Sequence, residues 1–221
     1  MIRVTAFRWV PPFAQGLVRD LRVRWALEEA GLAYEERLIG PAEQTSAGYR
    51  ALQPFGQVPV YEEGEGADLL TLFESGAIVM HIAEKSEILM PIDPAGRARA
   101  VAWMFASLNS IEPHIQNLAF IDLFAAGQDW AKQRRPGAVE MVEKRLDDLA
   151  VWLGDRDYLE TRFTVADLLM TSVLRILRHT DLVECRPALR AYQHRCEARP
   201  AFRKALADQL APFAANAPAS G

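Results

Sequence analysis

Glu74-Ser75 sets a carboxylate beside a hydroxyl where a β-rich run, Leu69 to Phe73, gives way to a helical pattern. A hydroxyl at the start of a helix, next to amides with no partner in the first turn and the positive end of the helix dipole, suits a carboxylate ligand. The adjacent carboxylate suits an ammonium group, so the pair fits a zwitterion; the same two residues also serve as a plain helix cap. A second group with binding capacity is Val58-Pro59. An X-Pro bond costs only ~0.5–1 kcal/mol to hold cis, and a cis bond here turns the Val58 N–H and C=O outward, where they can pair with an extended peptide. The structural alternative is a proline that opens an edge strand.

Nucleophilic and metal chemistry find less to work with. Cys185 and Cys196 lie near the C-terminus without a CxxC, and His81, His114, His179 and His194 are scattered. No metal-ligand spacing results, so no metal is expected and a disulfide scaffold is excluded.

These residues need a frame to hold them. Ile2 to Phe7 reads as a strand, stopped by Pro11-Pro12; Leu17, Leu21, Trp25 and Ala26 then recur at helical spacing to Ala30, where Gly31 ends the helix. Leu32 to Ile39 reads as a second strand, parallel to the first. Gln57–Tyr61 and Leu69–Phe73 read as a hairpin, and Ile78, Ile82 and Ala83 mark the helix that Glu74-Ser75 opens. The order is βαβ then ββα, a thioredoxin-like domain over 1–87. After a linker at 88–94, where Asp93 caps a helix with Pro94 in its first turn, everything reads as a helical bundle over 95–213, with a frayed tail at 214–221. The expected fold class is therefore α/β plus all-α. Val101, Phe105, Leu108 and Ile111 are expected on one face of a long helix, and Leu146, Leu149, Val151, Trp152 and Leu153 at the end of another. Thr164-Val165-Ala166-Asp167 is a capping box, assigned to folding.

Composition agrees with an ordinary globular chain: 221 residues, 50% hydrophobic and 24% charged. Lys+Arg 25 against Asp+Glu 29 gives a net charge of −4 with no run of one sign, which argues against nucleic acid or anionic lipid as partner. Arginines interrupt the first residues where a signal peptide needs an apolar core, and no apolar run is long enough to span a bilayer. A cytoplasmic protein is expected.

Three segments in order, Val23-Arg24-Trp25-Ala26-Leu27-Glu28-Glu29, Pro54-Phe55-Gly56-Gln57-Val58-Pro59 and Leu72-Phe73-Glu74-Ser75-Gly76-Ala77-Ile78, resemble the N-terminal domain of a cytosolic glutathione transferase. The helical half, capping box included, resembles that family's second domain. The resemblance implies glutathione as co-substrate: Val58-Pro59 grips its cysteinyl residue, Glu74 and Ser75 its γ-glutamyl end, and Gln57 reaches the cysteinyl or glycyl part. It also implies a homodimer and conjugation of glutathione to a small hydrophobic electrophile, as in detoxification. Peroxide reduction or isomerisation at the same site, and a non-catalytic binding protein of the same fold, are the alternatives.

One part of the pattern is missing. Known members place a Tyr, Ser or Cys after the first strand to stabilise the glutathione thiolate, yet residues 6–33 contain no Tyr, Ser, Thr or Cys. A mixed disulfide with the protein is disfavoured. Arg8, the backbone amides after Pro12 and the Thr5 hydroxyl are the candidate thiolate stabilisers, with Arg8 or the amides preferred because Thr5 lies within the strand. For the second substrate, Trp9, Phe13, Met104 and Asn109 are the expected lining, between the two domains; all but Asn109 equally fit a core role.

Overall fold

The fold is described from a computed structural model, which describes residues 1–218. Among these, the chain forms two compact units, one of Met1–Leu89 joined by the segment from Arg199 onward, the other of Met90–Ala198.

In the first unit, strand β1 (Ile2–Phe7) pairs in parallel with β2 (Glu35–Ile39) and antiparallel with β3 (Tyr61–Glu63), which pairs antiparallel with β4 (Leu70–Leu72). The sheet order is β2-β1-β3-β4. This mixed sheet and its helices make a thioredoxin-like domain. Helix α1 (Asp20–Ala30) ends at Gly31, whose φ of 66° supplies the left-handed stop. It starts three residues later than the Leu17 periodicity implies, because Pro11, Pro12 and Gly16 at φ 77° hold the chain in successive turns. The hairpin is likewise displaced: Gln57–Val60 is irregular and Glu62 and Glu63 lie in β3, since Pro59 has no N–H for a ladder. Two short helices, α2 (Pro41–Thr45) and α3 (Ala47–Leu52), fill the polar stretch after β2. Helix α4 (Ser75–Ala83) buries Ile78, Val79, Ile82 and Ala83 completely and packs against α1.

The second unit is helical: α5 (Pro94–Phe105), a π-helical turn (Ala106–Ile111), α6 (Glu112–Leu123), α7 (Asp129–Leu153), α8 (Val165–Leu174) and α9 (Pro187–Glu197). Asp93 caps α5 through Gly96 N–H at 2.7 Å. The buried stripe runs through Ala100, Met104, Ser107, Ile111, Ile115 and Leu118, while Phe105 is 57% exposed. Of the expected Val101/Phe105/Leu108/Ile111 face only Ile111 is buried, because α5 already packs through Ala100 and Met104, one position earlier along the helix than Val101 and Phe105. The capping box forms, with Thr164 N–H donating to Asp167 Oδ2 at 2.8 Å. Asp167 does more than cap, because its Oδ1 also accepts from Leu159 N–H at 2.9 Å and the Tyr192 hydroxyl at 3.0 Å.

Helix α10 (Pro200–Ala215), which the domain reading over 95–213 assigns to the helical bundle, packs on α1 in the first unit. Polar and aromatic contacts hold it there. Gln209 donates to the fully buried Asp20 at 2.7 Å, Arg199 pairs bidentately with Glu29 at 2.5 and 2.7 Å, and Phe202 meets Trp25 edge-on at 4.8 Å. Of the tail expected at 214–221, residues 214–215 are helical and 219–221 lie outside the described residues. Among the described residues no helix is long and apolar enough to cross a membrane.

Candidate functional site

The antiparallel register determines which segments meet. Tyr61 stands opposite Leu72, so the same register continued by two residues brings Pro59 opposite Glu74. Likewise Val4 stands opposite Tyr61, and continuing that ladder brings Phe7 opposite Val58. The C-terminal end of β1, the entry to β3 and the exit from β4 thus share one end of the sheet.

The segment entering β3 is clamped by its neighbours. Tyr49 donates to Gln57 O at 2.6 Å, Gln44 to Gly56 O at 2.7 Å and Arg50 to Pro54 O at 3.0 Å, while Gln53 Oε1 accepts from Phe55 N–H at 2.7 Å. Burial pushes the Tyr49 phenol up to about 12, which keeps it protonated and donating. Gly56 turns this loop at φ 63°, and a Cβ there would stand 2.7 Å from Arg50 Cζ. The Val58-Pro59 bond is cis, both residues are buried, and Gln57 is exposed.

At the exit of β4, Glu74 has φ 68° and ψ 110°, the one positive φ of a non-glycine residue among those described. A side chain in this region costs ~1–3 kcal/mol and persists only where the surroundings enforce it. Glu74 is exposed, whereas Ser75 is buried and accepts a hydrogen bond from Arg22 Nη1 at 3.3 Å. The first backbone bond of α4 runs from Ile78 N–H to Glu74 O at 3.0 Å, so the amides of Ser75, Gly76 and Ala77 face the open helix end. An exposed carboxylate residue, a buried hydroxyl and a helix N-terminus are thus consecutive in the chain at the start of α4.

The expected thiolate stabilisers are placed less favourably. Arg8 is exposed but turned toward β2 and α2, donating to Leu38 O at 3.4 Å and to Glu43 at 3.3 Å. The amides of Glu43 and Gly40, together with Arg8, hold the Glu43 carboxyl below its usual range, so the Arg8 charge is offset where it stands. Thr5 is fully buried in β1 and its hydroxyl has no partner. Among the second-substrate candidates, Trp9 is half-buried and Phe13 exposed in the first unit. In the second unit Asn109 is exposed in the π-helical turn, and Met104 is buried, a core position. Cys185 is exposed, Cys196 buried, and both are free. Among the described residues no three metal-ligating side chains cluster. Arg22 is the residue sequence reasoning passed over; its partner is 53 positions away, and no local signal marks the pair.

Residues 14–84 match the family described as Glutathione S-transferase, N-terminal domain. Over 229 aligned residues, covering 97% of this chain and 96% of the relative, the chain is 30% identical to Glutathione S-transferase 4 of Zea mays. It is also similar to the Disulfide-bond oxidoreductase YfcG of Escherichia coli, 28% identical over 81% of this chain and 86% of that one. Among solved structures, a glutathione transferase from Burkholderia graminis with two glutathione molecules bound per subunit superposes with a TM-score of 0.81 at 26% identity, covering 100% of this chain and 89% of that one. The chain belongs to the glutathione S-transferase family. It is by that membership a glutathione transferase, the class of enzyme to which its thioredoxin-like domain and helical region correspond.

Proposed function

We propose that the protein binds glutathione along Gln57, Val58 and Pro59 with its γ-glutamyl end at Glu74 and Ser75, and adds the glutathione thiolate to a small hydrophobic electrophile. The observation that carries this reading is Glu74 at φ 68°, a strained backbone conformation held directly before the Ser75 hydroxyl and the open amides of α4. The Val58 N–H and C=O pair with the cysteinyl backbone, which sets the thiol toward the end of β1. Catalysis then consists of orienting the thiol and favouring its anion. With Arg8 offset by Glu43, the main-chain amides of the connection between β1 and α1 supply the larger share of that stabilisation.

Reduction of a disulfide or peroxide by glutathione itself is the second reading, favoured by the similarity to a relative named for disulfide-bond oxidoreduction. No cysteine lies in the first unit's strands and helices, so both sulfurs of such an exchange belong to ligands. We also propose a cytoplasmic homodimer, which family membership supports and which sedimentation and cell fractionation test. Calorimetric titration with glutathione tests the site: absence of binding at millimolar concentration overturns the reading. Turnover of chlorodinitrobenzene, cumene hydroperoxide and hydroxyethyl disulfide then separates conjugation from reduction.

A further inference from the structure

Arg22 is 4% exposed, and burying a guanidinium is costly unless its donors are used. One of them, Nη1, lies 3.3 Å from Ser75 Oγ. Arginine can only donate, so Ser75 accepts, and its single O–H is left to donate elsewhere. Without Arg22 the hydroxyl could turn and act as acceptor; with it, Ser75 offers a proton to an incoming group. The partner that fits is an anion, because the Ser75, Gly76 and Ala77 amides at the same helix end are also donors. Arg22 adds a fixed positive charge behind them, in surroundings that screen it less than water does.

We propose that Arg22 is a positioning residue for recognition of the γ-glutamyl α-carboxylate: it commits Ser75 to donating and adds charge selectivity for that carboxylate. The inference rests on the glutathione reading above. It concerns one end of the ligand only, and Arg22 touches neither the ligand nor the reacting sulfur.

The test compares two ligands on four variants by calorimetry: glutathione, and 4-aminobutanoyl-cysteinyl-glycine, which keeps the ammonium and lacks the α-carboxylate. Arg22→Met weakens glutathione by about 10-fold, the scale of one charge-assisted hydrogen bond, and leaves the analogue within about twofold. Arg22→Lys recovers part of the loss, and Arg22→Lys on a Ser75→Ala background has a smaller effect than on the wild type. Equal weakening of both ligands, or unchanged glutathione affinity in a folded Arg22→Met protein, overturns the proposal. If Arg22→Met does not fold, the Arg22→Lys and Ser75→Ala cycle decides, and additivity of the two overturns it. Failure of the wild type to bind glutathione at all strikes the underlying reading instead.

Discussion

Glu74 is where stability and binding oppose each other, and two substitutions pull them apart. Glu74→Ala removes the carboxylate but keeps a Cβ at φ 68°; Glu74→Gly removes both. Relief of the strained conformation returns ~1–3 kcal/mol. Glycine gives back ~0.5–1 kcal/mol of this through the greater freedom of its unfolded chain. The glycine variant is therefore more stable than the alanine variant by about 1 kcal/mol, a melting difference of about 2–4 °C for a chain of this length. Binding moves the other way from the wild type. Both variants lose the partner of the ligand's ammonium, a charged hydrogen bond discounted here because Glu74 is exposed, so glutathione weakens by about fivefold, or about 1 kcal/mol. Scanning calorimetry without ligand and titration calorimetry with glutathione read the two effects separately. A glycine variant that melts at or below the alanine variant refutes the strain assignment. An alanine variant with wild-type affinity refutes the role of the carboxylate.

Other outcomes follow from the same geometry. Tyr49→Phe deletes the bond to Gln57 O, costing about 1 kcal/mol of stability and raising KM for glutathione with a smaller change in kcat; an unchanged KM removes Tyr49 from the support of the site. Arg8→Ala leaves the pKa of bound glutathione nearly unchanged in a thiolate absorbance titration, whereas a rise of a full unit restores Arg8 as the stabiliser. Glu63 accepts from His81, Lys85 and Tyr61, which lower its carboxyl from 4.5 to about 2. A carboxyl lowered in the folded state stabilises above the unfolded value and loses that contribution as pH falls through the folded one. Wild type thus exceeds Glu63→Gln by less than ~1 kcal/mol in urea melts at pH 6, and the gap closes toward pH 2; a gap that widens on acidification contradicts the assignment. Gln209→Leu removes the donor to a buried Asp20 oxygen, costing about 2 kcal/mol, and amide exchange accelerates in α1 before α8; the reverse order argues against the packing of α10 on α1.

Much of the candidate site was legible because its residues are neighbours in sequence. Glu74-Ser75 at a strand-to-helix junction, a valine-proline pair and a capping box each need only neighbours in sequence to announce themselves. Their separations brought out the family resemblance. The helix boundary at Gly31 was readable for the same reason, a left-handed residue that favours glycine. Glu74 itself escaped this logic. A positive φ is normally signalled by glycine, and here a glutamate occupies it.

What the sequence alone determined was the inventory: a βαβ-ββα order, a helical region beyond it, a candidate motif at Glu74-Ser75, and no cysteine near the first strand. What tertiary structure decided was pairing. Arg22 meets Ser75 only because α1 packs on α4, Arg8 pairs with Glu43 at 3.3 Å, and α10 returns to α1 through Gln209 and Arg199. The Phe105 face turned outward because α5 packs through Ala100 and Met104, one position earlier along the helix. The physical reason is common to all four. Propensities, caps and turns act between residues a few positions apart and leave a mark in composition, whereas a side-chain pair between distant segments or the buried face of a helix is selected by tertiary packing, which no short window of sequence contains.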